Sequence, residues 1–128
     1  MPVNARANVN INIYEGATFS QTFQWKTGDP ATPVDLTGYT GIMHIRAAIE
    51  DDTAILSLTT ALGGIIIESP PSDGKYTIFI PAADTTGLCA AHELIVAVYD
   101  LFLISGTTYM MQQYGNALIY PAVTRVSS

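Results

Sequence analysis

Charge is the scarcest ingredient of this sequence. Only 12% of its 128 residues are Asp, Glu, Lys or Arg, about half the roughly 25% usual for soluble domains. From Leu101 to Thr124 no side chain is charged at all. That stretch is not a membrane span, because Gln112, Gln113, Asn116, Gly106 and Gly115 interrupt it. A β domain this poor in ionic groups is expected to have much of its exterior covered by other polypeptide, so the chain reads as a subunit of a larger assembly.

Basic residues are few. Arg6, Lys26, Arg46, Lys75 and Arg125 are dispersed, and the net charge is −6. Nucleic acids and anionic membrane surfaces are gripped by clustered cations, so neither is expected as a partner. Cysteine is almost absent: Cys89 stands alone. An internal disulfide and a cysteine-based metal site are both excluded, which fits folding in a reducing cytoplasm. Met1–Arg6 has no apolar run of the kind a secretory signal needs. Long helical periodicity is missing too, which removes the crossover helices that a parallel α/β fold requires.

What the sequence does have is period-two alternation. Val9, Ile11 and Ile13 alternate with Asn8, Asn10 and Asn12, the pattern of a half-buried strand. Phe19, Phe23 and Trp25 share one face of a second strand. Lys26 to Pro33 is a loop rich in turn residues. Met43, Ile45 and Ala47 oppose His44, Arg46 and Ala48 on a third strand. Leu56 and Leu58, then Ile65–Ile67, mark two short strands, and Pro70–Gly74 is a turn. Tyr76, Ile78 and Ile80 form an inward face, with Lys75 and Thr77 outward.

Pro81–Gly87 is the one plausible helical turn, with proline at its start and glycine after its end. Glu93–Ser105 is a long strand with Leu94, Val96 and Val98 on one side and Ala97, Tyr99, Leu101 and Leu103 on the other. Gly106 turns it into a last strand running from Tyr109 to about Tyr120. The expectation is a single all-β domain over residues 1–128, an antiparallel sandwich of about eight or nine strands with one short helical turn. Residues 1–7 and 124–128 are expected to be flexible tails.

Constellations that carry chemistry are hard to find. His44 lies on a polar strand face and reads as solvated or hydrogen-bonded. Cys89 and His92 could form a nucleophilic pair only within hydrogen-bond reach of each other and with a third orienting group. Three residues apart in a loop, they do not favour it, and Cys89 reads better as a small buried residue. Glu50-Asp51-Asp52 lacks the alternate spacing and glycine of a calcium loop. No metal or cofactor is expected and no catalytic residue stands out.

Aromatic residues are the other resource. Trp25 and Tyr76 are expected in the core. Tyr109, Tyr114 and Tyr120, with Met111, fall in the charge-free C-terminal hairpin, where aromatic enrichment and charge depletion match the centre of a protein contact. The N-terminal strand with Val9, Ile11 and Ile13 is a second candidate contact, since no charge, proline or bulge guards it between Arg6 and Glu15. It either pairs within its own sheet or offers its edge to a neighbour.

Several segments resemble a family of small phage proteins found among virion and tail components. They are Tyr14-Glu15-Gly16-Ala17-Thr18-Phe19, Trp25-Lys26, Val34-Asp35-Leu36-Thr37-Gly38-Tyr39-Thr40 and Met43-His44-Ile45-Arg46. Leu58-Thr59-Thr60, Gly63-Gly64-Ile65, Val98-Tyr99-Asp100-Leu101 and Gly115-Asn116 before Pro121-Ala122-Val123-Thr124 continue the order. The Asp-Leu-Thr-Gly-Tyr segment is also similar to the N-terminal immunoglobulin-like domain of phage baseplate upper proteins. The resemblance implies an immunoglobulin-like β-sandwich in a phage particle, assembled in the bacterial cytoplasm, with other virion proteins and copies of itself as partners. It carries over no catalytic residue. Members of that family tend to have a charged residue where Phe102 stands, so Phe102 joins the candidate contact residues.

The expected function is therefore a non-enzymatic tail, neck or baseplate component. A capsid decoration protein on the phage head is the near alternative. A carbohydrate-binding module using exposed tyrosines is a more distant one, and an enzyme using His44 or His92 the weakest.

Overall fold

A computed structural model describes residues 7–124. Its strands are β1 (Ala7–Asn8), β2 (Ile11–Tyr14), β3 (Phe19–Gln24), β4 (Lys26–Thr27), β5 (Thr32–Pro33), β6 (Thr40–Arg46), β7 (Leu56–Thr59), β8 (Ile65–Ile67), β9 (Lys75–Ile80), β10 (Ile95–Ser105) and β11 (Thr108–Tyr120). One helical turn, α1 (Ala82–Thr85), lies between β9 and β10, and a 3-10 turn covers Pro71–Asp73. The expected tails fall largely outside the described residues.

The strands form an all-β sandwich. The larger sheet runs β1-β11-β10-β6-β7, with β2 also alongside β11; the smaller runs β3-β9-β8; β4 and β5 make a separate two-residue hairpin. Alternation explains why the layers meet as they do. Ile11, Ile13, Met43, Ile45, Leu101 and Leu103 point inward from the larger sheet, and Phe19, Ile65, Tyr76, Ile78 and Ile80 from the smaller. Each fully buried isoleucine or leucine contributes about 1.5–3 kcal/mol. Trp25 and Tyr76 are core residues as expected, and so is Cys89.

Three expectations are corrected. The sandwich is not purely antiparallel, because β1 and β2 both pair parallel with β11. They pair with the middle and end of β11, and no hairpin connects them to it. Thr77 does not face water: it is buried, takes up a 2.7 Å hydroxyl contact with Thr22 and donates to Glu68 Oε2 at 2.5 Å. Ala47 lies beyond the end of β6 and is exposed.

The short uncharged asparagines of the N-terminal strand have a use. β1 and β2 separate at Asn10, and its side-chain Oδ1 accepts from the Asn116 amide at 3.0 Å, standing in for the missing ladder bond. Gly115 lies opposite this crossing, where a Cβ would overlap the Val9 carbonyl oxygen. Three residues before Gly115, β11 bulges: Leu101 pairs with Gln113 but Phe102 pairs with Met111, leaving Gln112 as the extra residue.

The two sheets are also joined through a polar chain inside the core. The Tyr76 hydroxyl on β9 donates to Gln113 Oε1 on β11. Gln113 Nε2 donates to the Tyr99 hydroxyl oxygen at 2.9 Å, and the Tyr99 hydroxyl donates to the Val9 carbonyl at 2.5 Å. This chain accounts for a fully buried glutamine in an apolar layer. Burial pushes both tyrosines above their ordinary value, and for Tyr76 the neighbouring Tyr99 adds to it.

Candidate interaction face

The cross-strand register assembles the outer face of the larger sheet. Ile42 on β6, Phe102 on β10 and Met111 on β11 lie side by side. The next row is His44, Asp100 and Tyr114; the one after is Arg46, Val98 and Asn116. Together with Ile49 these residues, Asn116 apart, line a shallow concavity of about 570 Å³. Farther along the same face, Val96 pairs with Leu118, and Tyr120 stacks on Tyr14 with ring centroids 5.2 Å apart.

This face is exposed and apolar. Tyr109 is 65% accessible, Val96 57%, Tyr14 56% and Tyr114 37%. The outer face of the smaller sheet is more polar: Ser20, Thr22 and Gln24 on β3 and Lys75 and Thr77 on β9 point outward, with Phe79 and Ile66 as the apolar residues among them. Exposed scattered apolar residues need no explanation, but a contiguous run on one sheet face does.

Charge is confined to the centre of the apolar face. Arg46 Nη2 lies 3.1 Å from His44 Nδ1, and Arg46 Nη1 donates to the Asp51 carbonyl at 3.0 Å. Asp100 sits half-buried on the adjacent strand, directly across from His44. Among the described residues no hydrogen bond or ion pair reaches its carboxylate.

The expected contact residues divide. Phe102, Met111, Tyr109, Tyr114 and Tyr120 all belong to the outer face or its ends. Ile11 and Ile13 do not: both are fully buried in the core, and Val9 is half-buried with its carbonyl held by Tyr99. The free edge of the N-terminal strands offers a neighbour backbone groups, since β1 and β2 pair with β11 on one edge and with no other described strand on the opposite one, and Tyr14 of β2 adds an exposed ring to the outer face. Ile42, Val98, Asp100 and Arg46 were not singled out from sequence. Alternation along β10 carries the signal for Val98 and Asp100, but only the register shows that they adjoin His44 and Arg46.

A second, smaller recess of about 230 Å³ brings Cys89, His92 and Glu15 together. Here the Cys89 amide donates to Glu15 Oε2 at 2.9 Å and the Ala122 amide to Glu15 Oε1 at 3.0 Å. Glu15 thus ties the start of the chain to the segment before β10 and to the end of β11. The loop closes tightly, with the His92 amide donating to the Cys89 carbonyl at 2.9 Å and His92 at a φ of 57°. Burial pushes the Cys89 thiol up, and Glu15's charge adds to it. A nucleophilic cysteine requires the opposite shift, so the geometry makes Cys89 a packing group that closes this corner.

No protein-family model and no curated protein matches the chain.

Proposed function

We propose that this protein is a non-enzymatic structural component of a bacteriophage particle, in its tail, neck or baseplate, and that it acts by docking the outer face of its larger sheet onto neighbouring virion proteins. The single observation that carries the docking is the contiguous run of apolar and tyrosine side chains across neighbouring strands of the larger sheet's outer face, against a smaller-sheet face where polar residues separate Phe79 and Ile66. The virion assignment is supported by the ordered sequence resemblance. The strand order agrees with the fold that the resemblance implies: β3-β9-β8 against β11-β10-β6-β7 follows the B-E-D and G-F-C-C′ order of immunoglobulin-type sandwiches.

The mechanism is burial of apolar area at about 25 cal/mol per Å², less the cost of association. Repetition around a symmetric particle multiplies a weak contact through effective concentration. The same surface would serve a decoration protein on the phage head, and labelled particles viewed by electron microscopy distinguish head from tail.

Phe102→Lys tests the reading. The charge falls in the middle of the face, on a half-buried side chain that is not in the core. The expected result is a folded domain with a normal circular dichroism spectrum and reduced incorporation into particles. Wild-type incorporation would remove this face from the assembly, and absence of the wild-type protein from purified particles would remove the virion assignment.

A further inference from the structure

We infer that the partner of this face is a second copy of the same chain, paired face to face about a two-fold axis that runs along the strands between β6 and β10. The inference rests on the reading of the outer face as a docking surface, and names its occupant.

Residues opposite each other on β6 and β10 share a row: Ile42 with Phe102, His44 with Asp100, Arg46 with Val98. A two-fold axis parallel to the strands and midway between them lays β10 of one copy over β6 of the other without shifting the rows. Asp100 then faces the His44 and Arg46 of the second copy, and Phe102 faces its Ile42. Both contacts occur twice, as an isologous interface demands. An axis perpendicular to the strands through the Asp100 row would instead set Asp100 on Asp100 and His44 on His44. The placement of one acid beside bases on the neighbouring strand therefore selects one docking geometry out of the two.

The energetics agree. Asp100 lies half-buried in a concavity walled by Ile42, Val98, Phe102 and Tyr114, with no internal partner among the described residues. Its carboxylate oxygens therefore keep acceptor capacity that a guanidinium of a second copy can take up. Arg46 uses one contact to His44 and one to the Asp51 carbonyl, out of the five donors a guanidinium carries. The axis keeps β6 and β10 of the two copies aligned where they meet, so rows near it stay in contact while sheet twist separates rows farther out. The net charge of −6 per copy opposes association at long range, so the central charge pairs must form locally.

The test is the oligomeric state of the full chain, measured by sedimentation velocity over a concentration series. The wild type is expected to be a monomer–dimer equilibrium. Asp100→Arg, which places a cation against Arg46 and His44, should weaken self-association by at least about tenfold, as truncated or reversed charge pairs do at other interfaces. Combining Asp100→Arg with Arg46→Asp restores complementarity and should return the dissociation constant to near the wild-type value. Asp100→Asn and Phe102→Lys provide milder variants, each checked for fold by circular dichroism, and both should weaken the dimer. A wild-type chain that stays monomeric at about 1 mM overturns the inference. So does a dimer indifferent to Asp100→Arg, or a folded double variant that fails to re-associate. A monomeric wild type whose Phe102→Lys form is still lost from particles overturns the pairing and leaves the face docked on a different virion protein. A dimer with the expected variant behaviour, in a protein absent from purified particles, supports the pairing and removes the virion reading instead.

Discussion

Replacing Gln113 with methionine probes the polar chain that joins the two sheets. The side chain is buried, its Oε1 accepts from Tyr76 and its Nε2 donates to Tyr99. Methionine has nearly the same length and volume, so packing is largely kept while both hydrogen bonds are lost. The Tyr76 hydroxyl is then left without its acceptor, at a cost of about 1–3 kcal/mol. Tyr76→Phe strands the Gln113 carbonyl oxygen in the same way, at a similar cost. In the double variant neither group is left unsatisfied. Its destabilisation should therefore fall short of the sum of the singles by about 1–2 kcal/mol. Urea unfolding of the four proteins at neutral pH gives the coupling directly, provided the m-value is unchanged. Additivity to within about 0.5 kcal/mol would mean that the two side chains are not coupled across the sandwich, and the reasoning would be wrong.

The same residues set an alkaline limit. Tyr76 and Tyr99 are raised above the ordinary value of 10.0 by burial, so the unfolded chain ionises first. Their contribution to stability is complete below about pH 10 and is lost as pH rises past it toward the folded-state values. The urea midpoint should fall steeply in that range, and Tyr76→Phe should flatten the fall; an identical slope in the variant would contradict it. Gly74 has a φ of 70°, and a Cβ there would come within 2.6 Å of the Trp25 carbonyl oxygen. Gly74→Ala should therefore cost about 2 kcal/mol or more, seen as a lowered melting temperature, and an unchanged melt would refute the close approach. Cys89 is buried with its thiol pushed up. Maleimide labelling should be slow in the native protein and fast in urea, and native labelling at the rate of a free thiol would show the corner to be open.

Period-two alternation made the strands legible, because a sheet with one buried face imposes it residue by residue. Val96 to Leu103 sorted correctly into two faces, and the β10–β11 hairpin was bounded nearly to the residue. Trp25, Tyr76 and Cys89 were placed in the core on size and polarity alone. Thr77 was misread because alternation reports direction, not depth: it points outward, but Thr22 and Glu68 close over it. The parallel pairing of β1 and β2 with β11 was not legible either, since each strand's own pattern is the same whichever way its neighbour runs.

The shortage of charge is plain in the sequence, and part of it has a local cause. β11 has partners on both of its edges, and Ala117, Ile119, Gln112 and Gln113 are enclosed by the fold itself. The remainder lies on the outer face. Sequence alone determined that this is a β domain with alternating strands, a single buried thiol and too few ions for its surface, because those properties belong to residues one or two apart. Which residues stand beside Asp100, which face is left apolar, and how Gln113 bridges two sheets belong to pairs dozens of residues apart. Only the register of strands against one another, fixed by the packed core, brings such pairs together.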